Sequence, residues 1–178
     1  MEKMQDFKDS TPDIDDGKIL KKRLEKDGYL FIRGLLPAEK VLEVRHRLLE
    51  KASTGDWLDR SEPLNHGIAN LKSACKDPEE VYMKVFRSMW RDEELHRLRT
   101  NENVLNFFER ILGEPAFPHP MFVQRNIFPQ HGNFDFTTGA HQDKVHIGGD
   151  TNYAMWAPIG DCPIEKGPLA VAVGSHSK

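Results

Sequence analysis

Apolar residues recur at helical spacing in the first two thirds of this chain. The apolar positions between Ile19 and Leu24, followed by Gly28, predict a short amphipathic helix that ends in a glycine cap. Pro37 predicts the start of a second helix that runs to about Ala52. The apolar run Tyr29–Ile32 between the two helices is typical of a strand.

A long connection and two further helices are predicted next. Residues 53–75 lose the helical period and are punctuated by glycine and proline, which indicates a loop with short helical turns at most. The segment Asp77–Trp90 predicts a helix capped by its aspartate and opened by its proline. Asn101–Leu112 predicts another helix before a glycine. Its expected buried face consists of Val104, Leu105, Phe108 and Leu112.

Beyond Pro115 the pattern changes to short apolar runs separated by Gly, Pro, Asn and Asp, which favours antiparallel strands. The predicted strands are Met121–Phe128, Gly139–Ile147, Tyr153–Ile159 and Leu169–Val173. Helices followed by strands predict an α+β fold.

The two ends of the chain give the expected domain limits. Residues 1–16 are polar and acidic, which predicts a flexible tail before a domain at 17–178. Residues 167–178 form an apolar run that leads into a turn with no later element to cover it, so we expect this domain to be truncated at its C-terminus.

Composition excludes several classes of protein. The chain has 178 residues with 25 Lys+Arg against 28 Asp+Glu, so no cationic field favours a nucleic-acid partner. It lacks the roughly 20 consecutive apolar residues of a membrane span and the apolar core of a signal peptide. Its two cysteines give no disulfide framework or zinc spacing. We therefore expect an intracellular, cytoplasmic protein without a membrane partner.

The sharpest chemical feature is His141-Gln142-Asp143. In a strand, residues i and i+2 project from one face, so His141 and Asp143 can reach one metal ion. With a distant histidine they would complete the facial triad of non-haem Fe(II) oxygenases. Chance alone produces about one His-x-Asp/Glu in a chain with 8 histidines, so a solvated strand is the alternative.

Three ordered motifs give the pair its context. His141-Gln142-Asp143 is followed by Ala154-Met155-Trp156-Ala157-Pro158, and then by a glycine-rich segment that ends in Gly174-Ser175-His176. Together with an opening helix and strand at 24–36, this order resembles the phytanoyl-CoA dioxygenase family of Fe(II)- and 2-oxoglutarate-dependent oxygenases. The resemblance implies a double-stranded β-helix (a cupin-like jelly roll) with N-terminal packing helices, with the barrel incomplete in this chain.

The resemblance also implies site residues and an activity. His141 and Asp143 correspond to two iron ligands, while Gln142 and Trp156 correspond to residues near 2-oxoglutarate. The implied reaction hydroxylates a small-molecule substrate with Fe(II), 2-oxoglutarate and O2. Arg125 is either a carboxylate contact or a solvated charge at a strand edge.

The family's third iron ligand and its arginine for 2-oxoglutarate lie further along than Lys178. We therefore expect little turnover from this chain, and the alternative function is that of a non-catalytic truncated relative that acts as a binding or regulatory protein. His146 and His176 are the internal candidates for the third ligand, with surface and turn roles as the alternatives, and His119 and His131 rank below them. The aromatic residues of this half line a substrate pocket or pack in the core; they are Phe117, Phe122, Phe128, Phe134 and Phe136.

Overall fold

The computed structural model describes residues 4–130, 138–143 and 153–177. Five α-helices lie in these ranges: α1 (Gly17–Asp27), α2 (Ala38–Thr54), α3 (Glu80–Trp90), α4 (Glu93–Arg99) and α5 (Glu102–Leu112). The chain divides into two units. The first contains Met1–Ala38, Leu98–His119 and Leu169–Lys178, and the second contains Glu39–Arg97 and Pro120–Pro168.

The ends of α1, α2 and α5 confirm the helix predictions. Asp16 caps α1 by accepting the N–H groups of Lys18 and Ile19, and Gly28 closes it at φ 80°. Helix α2 begins directly after Pro37. The Asn101 side chain caps α5, and the glycine after Leu112 takes the left-handed conformation at φ 78°. These signals are local, so sequence alone locates them.

Helices α3 and α4 differ from the prediction. Helix α3 starts at Glu80 with Glu79 as its N-cap residue and without a side-chain cap, so the predicted cap at Asp77 is wrong. Helix α4 was not expected. Its carboxylate cap is Asp92, which accepts the N–H groups of Glu94 and Leu95.

The core of the first unit forms where α1 packs against α5. Leu20 is fully buried and clusters with Phe107 and Ile111. The buried face of α5 therefore contains Val104, Phe107 and Ile111, so the predicted face was correct only at Val104. Phe108 packs against the edge of this core instead of lying in it. Spacing alone fits both faces, and contact with α1 selects one of them.

Part of the expected tail at residues 1–16 makes packing contacts ahead of α1. The Phe7 ring contacts the Tyr29 and Phe31 rings at centroid distances of 5.1 and 5.6 Å. Ser10 is fully buried, and its N–H donates to the Phe31 carbonyl at 2.8 Å. Phe7 and Ser10 thus contact Tyr29 and Phe31 although the polar composition of the segment predicted a tail.

The predicted strands are not formed among the described residues. Backbone pairing there is limited to isolated bridges, Asp9 with Phe31 and Leu58 with Ala69, so Tyr29–Ile32 contributes one bridge and no strand. Met121–Phe128, Tyr153–Ile159 and Leu169–Val173 carry no strand, and most of Gly139–Ile147 lies outside the described residues. A strand needs a neighbour to accept its hydrogen bonds, and the described ranges form no such ladder. They consequently show no double-stranded β-helix.

Residues 121–128 nevertheless keep the alternation of an extended segment. Even-numbered residues face inwards, with Gln124 and Phe128 buried, while odd-numbered residues face outwards. Phe128 contacts Trp57 edge-on at 5.6 Å, and Trp57 stacks on Tyr82 at 5.2 Å. The pattern of period two thus survives without a sheet because aromatic packing in the second unit orients the inner face.

Candidate metal centre

His141 and Asp143 converge although they do not lie on a strand. Residues 138–143 are irregular, with a turn at Asp143. The Nε2 atom of His141 lies 3.3 Å from Oδ1 of Asp143, and both side chains are about half exposed. The expected convergence is therefore present, whereas the expected strand is not.

The Nδ1 atom of the His141 ring contacts a backbone carbonyl. It lies 2.8 Å from the carbonyl oxygen of Gly139, and a carbonyl can only accept, so Nδ1 carries a proton. In neutral imidazole the lone pair then sits on Nε2, facing the Asp143 carboxylate. Two acceptors at 3.3 Å need a second ring proton or a cation between them.

This arrangement fits two adjacent positions on a metal ion. Donor atoms at a right angle with bonds of about 2.1 Å are about 3.0 Å apart, close to the observed separation. Metal-binding histidines commonly donate their second N–H to a backbone carbonyl, as His141 does to Gly139. Among the described residues no group of three His, Cys, Asp or Glu side chains forms a complete metal site. The pair offers two candidate ligands, and a third is not found in those ranges.

Arg125 has a role that the sequence did not indicate. Its Nη1 atom donates to the Thr138 hydroxyl at 2.6 Å, across 13 positions of sequence. Thr138 directly precedes Gly139, so this bond anchors the segment that carries the His-x-Asp pair. The exposed Arg125 side chain is compatible with a solvated charge, and the carboxylate contact stays a prediction.

The remaining predicted residues are placed as follows. Gln142 lies between the two proposed ligands and is exposed. Trp156 is 51% exposed in the second unit, which leaves its indole accessible. Phe128 packs in the core as favoured, whereas Phe117 is 83% exposed. Phe122 contacts the Trp90 and His96 rings, and Phe134 and Phe136 lie outside the described residues.

His176 binds the C-terminal end of α1. Its Nε2 atom lies 3.0 Å from the Glu25 carbonyl, and the Gly174 N–H donates to the Asp27 carbonyl at 3.0 Å. These bonds satisfy carbonyls that the end of a helix leaves unpaired. The turn role of His176 is therefore the one observed. His146 and His131 lie outside the described residues, and His119 forms no described metal cluster.

Asp92 is the most strongly perturbed described group, and sequence reasoning missed it. Its side chain is fully buried. Arg47 donates to Oδ1 at 3.0 Å and to Oδ2 at 3.0 and 3.1 Å, and Lys51 donates to Oδ2 at 3.0 Å. Burial by itself raises the pKa of the Asp92 carboxyl, but hydrogen bonds from Arg47 and Lys51 outweigh it and lower the pKa to about 2. The signal available in the sequence was an aspartate before two glutamates, a helix start. The site holds α2 to α4 and contacts no part of the metal pair.

Comparison with known proteins defines the class. A His-x-Asp pair with converging donors can form part of the facial triad of mononuclear non-haem iron sites. Residues 24–178 match the model of the phytanoyl-CoA dioxygenase (PhyH) family, and this chain belongs to that family. The family has a cupin-like jelly-roll fold and contains dioxygenases.

Two curated relatives carry the same name. The chain is 27% identical over 179 residues to 1-deoxypentalenic acid 11-beta-hydroxylase of Streptomyces exfoliatus, and the match covers 98% of this chain and 60% of the relative. It is 25% identical over 182 residues to the enzyme of that name from Streptomyces arenae, covering 97% and 59%. The chain thus spans about 60% of the length of these relatives. No solved structure matches it.

The helices were also compared with the requirements of a membrane span. Within the ranges that the structure describes, none is long and apolar enough to cross a bilayer.

Proposed function

We propose that this chain supplies two protein ligands, His141 and Asp143, to the Fe(II) centre of a 2-oxoglutarate-dependent dioxygenase. The observation that carries the proposal is the approach of Nε2 to Oδ1 at 3.3 Å, with the opposite ring nitrogen bound to the Gly139 carbonyl. Bound Fe(II) supplies the activation of O2, whose atoms end in succinate, formed from 2-oxoglutarate with loss of CO2, and in the hydroxyl group of the product.

The chain's own residues have defined tasks in this proposal. The Gly139 carbonyl holds the His141 ring with its lone pair outward, and the Asp143 carboxylate offsets the charge of the cation. Gln142 and Trp156 are the proposed contacts of 2-oxoglutarate, because an amide N–H and an indole N–H can each donate to a carboxylate. The exposure of both side chains is compatible with such contacts.

The proposed substrate is a small molecule. Both relatives are named as hydroxylases of 1-deoxypentalenic acid, a small organic acid. We also propose that residues 17–178 belong to one domain of the jelly-roll type. The alternating inner and outer faces of residues 121–128 support a strand of such a fold, and the family match extends from residue 24 to residue 178.

Cobalt binding tests the metal proposal. Co(II) resists oxidation in air and prefers similar ligands, so its visible absorption reports occupancy. We expect titration of the full chain to give a signal that His141→Ala and Asp143→Ala abolish. His46→Ala is the matched control, because His46 also lies near a carboxylate, Glu50 at 3.6 Å, on the exposed face of α2.

Two outcomes separate the alternatives. Equal Co(II) binding by the wild type and His141→Ala would contradict the metal assignment. Succinate release with Fe(II), ascorbate and 2-oxoglutarate is measured in parallel. Little turnover is expected from this chain under either reading, whereas succinate release that depends on His141 would favour the dioxygenase over the non-catalytic binding or regulatory role.

A further inference from the structure

We infer that Arg125 and Thr138 are positioning residues that set the orientation of the His141 ring. The function of this orientation rests on the proposed metal centre, but the contacts that set it join protein atoms only. Three linked contacts carry it. Arg125 donates to the Thr138 hydroxyl at 2.6 Å, the adjacent Gly139 carbonyl accepts from His141 Nδ1 at 2.8 Å, and Nε2 faces Asp143 at 3.3 Å.

Hydrogen bonds matter more than packing in this segment. Residues 138–143 are all exposed, and apart from its chain neighbours no atom of the described residues lies within 4 Å of the position where a side chain at Gly139 would begin. Arg125, in contrast, lies in the segment 121–128, whose inner face is buried. Its neighbour Gln124 is buried, with Nε2 donating to Asn126 at 2.8 Å and contacting Met89 Sδ at 3.6 Å. The hydrogen bond from Arg125 to Thr138 thus links the exposed His-x-Asp segment to residues 121–128, whose inner face packs in the core.

The positive charge of Arg125 allows a positioning role to be distinguished from that of a solvated surface arginine. A guanidinium near a metal site repels a divalent cation, so removing a merely solvated Arg125 leaves metal affinity unchanged or raises it. Removing a positioning contact lowers the affinity, because the two donors no longer share one geometry. The two roles therefore predict effects of opposite sign.

The first experiment measures Co(II) affinity in Arg125→Met and Thr138→Val. Each variant is expected to bind about fivefold more weakly, the loss that corresponds to one hydrogen bond. The double variant is expected to be no weaker than either single one, because both remove the same bond. Arg125→Lys keeps a charge and a donor and should recover part of the loss. Arg60→Met, which removes an exposed arginine paired with Asp56 in another loop, is the matched control.

The second experiment needs no metal. Long-range proton–nitrogen spectra of the chain labelled with ¹⁵N-histidine, recorded at pH 8, distinguish the Nδ1–H from the Nε2–H tautomer of His141. The wild type is expected to carry a proton on Nδ1, and Arg125→Met and Thr138→Val to show in addition a population that carries its proton on Nε2 alone. A fold-level defect would shift other histidines as well, and His176, bonded to the Glu25 carbonyl, reports on that.

The outcomes distinguish this inference from the proposed function. If Co(II) binding does not depend on His141, the metal proposal fails and the tautomer spectra alone decide on Arg125 and Thr138. If both variants keep the Nδ1–H tautomer and unchanged or tighter Co(II) binding, the positioning role is overturned. Weaker Co(II) binding with a mixed tautomer establishes it.

Discussion

At the scale of single residues, the chemistry of a side chain depends on its surroundings, and residue type alone predicts only part of it. Asp92 and Asp143 are both aspartates, yet one is fully buried between two cations and the other is half exposed beside a histidine. The His-x-Asp motif identifies Asp143 without a structure. Nothing in the sequence pairs Asp92 with Arg47, 45 positions away, because that contact depends on how α2 and α4 pack.

We expect Asp92→Asn to lower the free energy of unfolding by about 2 kcal/mol. The amide keeps the size of the side chain but loses the charge that accepts from Arg47 and Lys51. Urea unfolding at pH 7 measures the change. The neighbouring Glu93→Gln is the control, since Glu93 is 73% exposed and its pairing with Arg97 should contribute nothing measurable. Equal stability of the wild type and Asp92→Asn would contradict the role assigned to Asp92.

The low pKa of Asp92 also predicts a pH dependence. Its ordinary value is 3.8 and its folded value about 2, so as the pH falls the unfolded chain takes up the proton first. The stability contributed by ionised Asp92 is therefore complete above about pH 5 and is lost progressively towards pH 2, amounting to about 2 kcal/mol. Urea unfolding of wild type and Asp92→Asn at pH 7 and pH 3 should show the difference between them shrinking in acid. A constant difference would refute the shift.

At the scale of elements, signals at helix ends were more reliable than apolar runs. The glycines that end α1 and α5 depend on two or three neighbouring residues, so their prediction is confirmed. The apolar runs after Pro115 were predicted as strands, but in the described ranges they lack ladder partners. A helix satisfies its own backbone, whereas a strand requires another segment.

The two glycine caps offer a matched pair for testing the contact made by His176. A Cβ at Gly28 would lie 2.3 Å from His176 Nδ1, while at the glycine after α5 it would meet nothing within 4 Å. Both glycines have nearly equal positive φ, 80° and 78°. Gly113→Ala should therefore cost about 1 kcal/mol from backbone strain alone, and Gly28→Ala about 1 kcal/mol more, because His176 must leave the Glu25 carbonyl.

Thermal or urea unfolding of the two variants checks this order. In a His176→Ala background the clash is gone, so the costs of the two glycine substitutions should become equal. Equal costs in the wild-type background would show that the docking of His176 on α1 contributes no stability.

At the scale of the whole molecule, the exposed apolar side chains of the segment 121–128 are the most consequential feature. Val123 is 72% exposed and Ile127 58%, on the same outward face. Clustered apolar surface of this kind favours association between chains.

We expect Val123→Thr with Ile127→Thr to reduce self-association of the chain. The substitutions remove apolar surface from the outward face while the buried partners Gln124 and Phe128 stay unchanged. Size-exclusion chromatography at matched concentrations, with binding of a dye for apolar surface, measures the effect. Val81→Thr on α3 is the control, since Val81 is 63% exposed on a helix. An unchanged elution profile and dye signal would rule out this face as a cause of association.

The sequence by itself determined the glycine ends of α1 and α5, the start of α2 after Pro37, the His-x-Asp pair and the family, because these depend on neighbouring residues or on ordered motifs. Tertiary structure alone decided the buried face of α5, the pairing of Asp92 with Arg47 and Lys51, and the link from Arg125 through Thr138 to His141. Each of the latter joins residues far apart in the chain. Many partners are compatible with such a residue type, and only the packing of the backbone selects one.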